Sequence, residues 1–223
     1  MDMSPLLISI KTASAAMVLT FFLGIFAAKI VADIRRKPWK MILDGILTLP
    51  LVLPPTVAGF FLLYIFGVRR PIGQFLADYF GIKIAFSWEA AVLAAAAISF
   101  PLMYRSARGA LEQVDPNLIY AARTLGLSEW KLFWRVRLPT ALPGVASGGV
   151  LAFARGLGEF GATAMIAGNI AGKTRTLPLA IYSAVSAGDM DTAYRYVLII
   201  VIFSFLAVAL MNYFTIKEGK TKP

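Results

Sequence analysis

The chain has 223 residues, 59% of them apolar and 15% charged, where soluble globular domains run to about 45–50% and about 25%. Its 22 lysines and arginines against 12 acids give +10, an excess that membrane proteins concentrate in cytoplasmic loops and that soluble chains use on nucleic acid. With no cysteine and no histidine, disulfides, thiolate metal sites, imidazole bases and Ser-His-Asp triads are excluded, leaving neither a secreted disulfide scaffold, a disordered chain nor an ordinary soluble enzyme.

Five stretches are long enough to cross a bilayer, at about 20 residues each, and the fold class predicted is an all-α integral membrane protein forming one domain over 1–223. The first span runs over 6–31 and lacks the basic n-region of a cleaved signal peptide. The second, 45–66, carries Pro50, Pro54 and Pro55. The third, 86–104, is alanine-rich and flanked by Glu89 and Arg105, whose side chains can snorkel to the interfaces. The fourth, 139–167, is interrupted by Arg155 and Glu159, and the fifth, 196–216, is uncharged. Lys29–Lys40, Arg105–Arg137 and the tail Lys217–Lys222 together hold fourteen basic residues, while the opposite set of loops holds six. The positive-inside rule then predicts an external N-terminus and a cytoplasmic C-terminus.

The connection 105–138 reads as structure. Asp115 is a predicted N-cap with Pro116 at the first helical position, and Gly126 suits a left-handed helix stop. Ser128 is expected to cap a second helix with Glu129 in its first turn, and Trp130, Phe133, Trp134 and Arg137 fall at spacings that share a face. The composition suits either an amphipathic helix lying at the lipid interface or a basic, aromatic-faced docking element.

In the fourth span the glycines, Gly144 and Gly148 among them, suit close helix packing. Arg155 and Glu159, four residues apart, are predicted to share a helix face, as a structural ion pair or as part of a transport path. The string Ala167–Thr174, AGNIAGKT, misses the phosphate-loop pattern at its first glycine, so ATP is not expected to bind here. No catalytic or metal-binding constellation is predicted.

Tyr120-Ala121-Ala122 followed by Gly126, Val136, Leu138 and Pro139 resembles the EAA loop of ABC importer permeases, with Tyr120 standing where that pattern has Glu. The stretches LPLVLPPTVAGFFLL, FSWEAAVLAAAAISFPLMYRSARGAL, ARGLGEFGAT and GNIAGKTRTLPLAIY extend the resemblance over nearly the whole chain, to the permease subunit of molybdate ABC transporters. GEFGA at Gly158–Ala162 and the run Thr174–Tyr182 favour molybdate or tungstate over sulfate. The resemblance implies a type I importer fold in the cell (inner) membrane and a homodimer of permeases. It also implies two cytoplasmic ATPase subunits that use ATP and Mg, an extracytoplasmic molybdate-binding protein, no cofactor on this chain and no nucleic acid. It makes the Tyr120–Pro139 motif the ATPase-coupling loop. Candidate path residues are Arg155, Glu159, Phe160, Gly161, Thr163, Pro54 and Pro55. A stand-alone channel or secondary transporter is disfavoured by the absence of an inverted repeat and the few ionisable residues at membrane depth, and an intramembrane enzyme by the missing His and Cys.

Overall fold

In a computed structural model, residues 2–34 and 36–220 are described, with side chains to Tyr213. Arg35 and Lys222, two of the basic loop residues counted above, lie outside the described residues. All regular elements described are helical: α1 (Ser4–Asp33), α2 (Lys37–Val52), α3 (Pro55–Phe66), α4 (Pro71–Phe80), α5 (Trp88–Glu112), α6 (Pro116–Thr124), α7 (Glu129–Leu132), a π-turn (Phe133–Arg137), α8 (Leu138–Leu157), α9 (Gly161–Ile166), α10 (Leu177–Ser186) and α11 (Met190–Lys220).

The core is the contact of α1, α5 and α8, built from small side chains. Ala13, Ala16, Ala91, Ala94, Ala95 and Ala107 are all buried. A Cβ added to Gly24 would stand 2.8 Å from Met103 Cγ, and one added to Gly148 would stand 2.5 Å from Ser106 Cβ. Between apolar helices in lipid, where hydrophobic burial gives no drive, such close backbone approach supplies the packing. Around this core α11 is largely exposed: only 6% of its most apolar window is buried.

Four helical stretches are each long and apolar enough to cross a membrane: Ser4–Asp33, Trp88–Glu112, Glu129–Leu157 and Met190–Tyr213. The predicted second span is instead two helices, α2 and α3, bent by 108°. Its cause is local. Pro54 and Pro55 donate no N–H, and the residue before a proline is driven out of the helical region; Leu53 and Pro54 take ψ of 140° and 134°. The third span runs eight residues beyond Tyr104, to Glu112, and the fourth begins well before Pro139 and ends at Leu157. The predicted loop 105–138 is therefore mostly the ends of long helices, with α6 and its two turns bridging them.

Two further helices, α4 and α10, were not predicted. Both are only 10 residues long, and α10 is apolar without reaching the length of a span.

Candidate functional site

The α5–α7 connection follows its capping chemistry. Asp115 accepts the Asn117 N–H at 2.8 Å, with Pro116 in the first turn. At the other end of α6 the Leu127 N–H returns to the Ala122 carbonyl, and Gly126 between them sits at φ +77°, the left-handed value glycine takes without a Cβ penalty. Ser128 occupies the N-cap position of α7 but makes no side-chain cap, contrary to expectation. The Glu129 carboxylate instead receives Arg123 Nε at 2.8 Å and Nη2 at 3.2 Å, a bidentate clasp across the Gly126 turn. That carboxylate raises the Arg123 pKa above its ordinary value.

The predicted aromatic face is split. Phe133 is buried in the core, whereas Trp130 and Trp134 are exposed and meet each other edge-on, ring centroids 5.6 Å apart. A helix obeying regular spacing would not divide them this way. Pro139 crowds the carbonyl four residues back, and the helix widens ahead of it into the π-turn, where the Leu138 N–H reaches Phe133. Tyr120 and Ala121 are exposed, Ala122 is buried, Val136 and Leu138 are half-buried and Pro139 is exposed. Tyr120, Arg123 and Glu129 line an open groove of about 730 Å³ whose far wall includes Asp33 and Arg137. Arg137 anchors the loop to the bundle, donating to Asp33 Oδ1 at 2.7 Å and to the Leu111 carbonyl at 3.3 Å.

At the other end of α8 the chain breaks over Gly158–Phe160 and re-forms as α9. Arg155 and Glu159 do pair, Nη1 to Oε2 at 2.9 Å, but they do not share a helix face. Arg155 is in the last turn of α8, and Glu159 lies beyond its end. Glu159 is 2% exposed, and its other oxygen, Oε1, accepts the Ala162 N–H at 2.8 Å in the first turn of α9. One buried carboxylate thus ends one helix and starts the next.

The break packs on the kink between α2 and α3. A Cβ at Gly161 would lie 3.1 Å from Pro55 Cβ and 3.2 Å from the Thr56 backbone nitrogen, and one at Gly59 would lie 2.7 Å from Ala162 Cα. The structure therefore brings Gly161 against Pro55, from stretches about a hundred residues apart, with Glu159, Phe160 and Thr163 beside Gly161 along the chain. Phe160 also meets Tyr182 of α10, ring centroids 5.4 Å apart. Thr163 is fully buried, and its hydroxyl has no hydrogen-bond partner among the described residues. Within the two irregular stretches Glu159 is buried, Leu53 and Pro55 are half-buried, and Pro54, Gly158 and Phe160 are exposed; at membrane depth such backbone needs protein or a water-lined cavity beside it.

The Ala167–Thr174 string closes on itself. The N–H groups of Lys173, Thr174 and Arg175 all point to the Ile170 carbonyl, and Thr174 Oγ1 accepts from Ile170 N at 3.0 Å. Those three donors are spent within the turn. Arg175 Nε donates to Asn169 Oδ1 at 2.8 Å.

A polar cluster between α2 and α5 was missed. Asp44 accepts from Tyr104 Oη at 2.9 Å and from Arg108, and Glu112 takes Arg108 Nε at 3.0 Å and Lys40 Nζ at 2.9 Å. Lys40/Asp44 and Arg108/Glu112, each four residues apart, were the available signal. Their meeting across two helices was not readable from either stretch.

A small-residue helical bundle with a basic helical elbow at one end of the stretch Glu129–Leu157, and a buried ion-paired break at the other, marks a multi-pass membrane transport subunit. The chain belongs to the binding-protein-dependent transport system inner membrane component family, whose pattern matches residues 20–217. It is 47% identical over 208 residues to a molybdenum transport system permease protein of Escherichia coli strain K12, covering 93% of this chain and 90% of that one. A molybdenum transport system permease protein of Haemophilus influenzae is 42% identical over 223 residues, covering 99% and 96%. A sulfate transport system permease protein of E. coli K12 is 35% identical over 211 residues, covering 94% and 76%. In fold the chain is similar to an inward-facing methionine ABC transporter, with a TM-score of 0.75 at 16% identity over 96% of this chain and 94% of that one. The fold is that of type I ABC importer permeases.

Proposed function

We propose that this chain is the membrane-spanning subunit of an ATP-driven importer for molybdate, with tungstate, an anion of the same charge and nearly the same size, as a second cargo. Two copies stand side by side with their N-termini outside, two ATPase subunits that use ATP and Mg bind below, and a binding protein delivers the oxyanion from outside. The exposed apolar faces of α3 and α11 meet lipid and the second copy. The cargo assignment is supported by the 47% identity to a molybdenum permease against 35% to a sulfate permease.

The observation that carries the mechanism is the unbroken helical path Glu129–Leu157. Its 29 residues span roughly 40 Å at about 1.5 Å per residue. One end is the exposed α6–α7 elbow, with Trp130, Trp134 and Tyr120 offered to an ATPase groove. The other end is the Arg155–Glu159 break, seated on the Pro54–Pro55 kink. Closure of the ATPase dimer displaces the elbow. The stiff helix carries that displacement to α9, where small residues on α3 let the contact slide, and the path opens outward. Hydrolysis resets it. ATP chemistry belongs to the partner, and this chain binds no cofactor.

Proteoliposomes holding the permease with its ATPase, supplied with binding protein, should take up radiolabelled molybdate and tungstate only with ATP. Faster uptake of sulfate would reassign the cargo, and uptake by the permease alone on an ion gradient would overturn the mechanism.

A further inference from the structure

The seam between α5 and α8 closes at two levels, in ordinary van der Waals contact at Gly156 and more tightly at Gly148. Gly156 lies against Ala13 and Ala95, and Gly148 lies against Ser106 and Met103. The helices therefore run antiparallel, and the two levels are eleven residues, about 16 Å, apart along α5. Arg155 stands beside the first level and Arg105 beside the second. Beyond Gly148 the seam opens into a cavity of about 230 Å³ walled by Arg105, Ser106, Gly109, Gln113, Gly144 and Ser147. A Cβ at Gly109 would meet nothing within 4 Å.

Charge accounting singles out Arg105. It also borders a second cavity of about 230 Å³ with Asp44, Arg108 and Glu112. There Arg108 is held by both carboxylates and Lys40 by Glu112. Three cations against two anions leave one positive charge over. Arg105 is exposed, pairs with no carboxylate at ion-pair distance among the described residues, and acts on Asp44 only at longer range. It is the one ionisable side chain on the wall of the α5–α8 cavity.

We infer that this cavity is an anion-binding station on the cytoplasmic side of the path, in which Arg105 and the Ser106 hydroxyl receive a tetrahedral oxyanion dianion. The inference rests on the importer reading. The donor set suits the ligand: a guanidinium offers a planar fork of N–H groups, and a hydroxyl rotates to donate. A single arginine also binds weakly enough to let the anion leave, which conduction requires. About 16 Å deeper, Arg155 has its charge met by Glu159 and does not compete for the anion.

The test is ATP-dependent uptake of radiolabelled molybdate by the complete complex in proteoliposomes, normalised to assembled complex, for Arg105→Lys, Arg105→Gln and Arg105→Glu. Uptake should stay within twofold for Lys, fall about tenfold for Gln and fall further for Glu. Equal uptake across the three would make Arg105 a mere interfacial anchor and overturn the station, as would equal loss in Lys and Gln. If Arg105→Gln does not assemble, Ser147→Asp, which adds a carboxylate on the α8 wall, carries the test: a tenfold loss supports the station and unchanged uptake overturns it. Wild-type complex that takes up no oxyanion at all would sink the importer reading itself, an outcome separable from failure at Arg105.

Discussion

Arg155 and Glu159 are joined at 2.9 Å across the end of a helix rather than along its side. The same Glu159 carboxylate accepts the Ala162 N–H that opens α9, so the end of α8 and the start of α9 meet on a single buried side chain. Removing one member of a buried pair costs about 3–5 kcal/mol. The lower end applies, because the Arg155 side chain is 32% exposed. Glu159→Gln keeps an oxygen for the Ala162 N–H and should destabilise less than Glu159→Ala, read as thermal unfolding in detergent. The swap Arg155→Glu/Glu159→Arg should not rescue either single change, since an arginine at 159 cannot accept the Ala162 N–H. Full rescue would show that only the ion pair matters.

The contact of α9 on α3 should be sensitive in a set order. A Cβ at Gly59 would fall 2.7 Å from Ala162 Cα, a backbone atom that cannot swing away, whereas one at Gly161 would need only a few tenths of an ångström from Pro55 and Thr56. Overpacking of this kind costs about 1–3 kcal/mol. Gly59→Ala should therefore lose more thermal stability and more uptake than Gly161→Ala. The reverse order would mean that α9 is not held by this contact.

Much of this was legible in the sequence, and the exceptions share a cause. Asp115, Pro116 and Gly126 act within four or five residues of the groups they satisfy, so their roles follow from local chemistry. The proline pair was the available signal for the break in the second span, where Leu53 and Pro54 leave the helical region. Ser128 stands at the N-cap position but its side chain makes no cap bond, and the aromatic stripe failed because Pro139 forces a π-turn that turns Phe133 inward. Helical periodicity placed Glu159 on the face of Arg155, but Gly156 and Gly158 let the helix end first. The meeting of Gly161 with Pro55, and of Asp44 with Arg108, depends on packing between distant helices, which periodicity along one stretch does not encode.

Gly126 tests the elbow by backbone alone. Nothing lies within 4 Å of an added Cβ, so a substitution meets only the penalty of φ +77°. Asparagine tolerates that region, alanine is strained by about 1 kcal/mol, and a β-branched residue by more. Co-purification of the ATPase should fall in the order Gly126→Asn, Gly126→Ala, Gly126→Val. Undiminished co-purification with Val would remove α6–α7 from the docking surface.

Arg137 is the fastening between elbow and bundle. Its guanidinium reaches Asp33 at the end of α1 and the Leu111 carbonyl near the end of α5 from one planar group. An ammonium on a flexible stem has no such fork. The ion pair is partly exposed and contributes little by itself; with the carbonyl bond, Arg137→Ala should cost about 1–2 kcal/mol. The functional loss should be larger than the loss of stability, because an elbow detached from α1 and α5 moves without moving α8. ATPase turnover should then persist while molybdate uptake per ATP falls several-fold, and Arg137→Lys should not restore it. Uptake and hydrolysis falling together would instead mean that Arg137 serves assembly and not transmission.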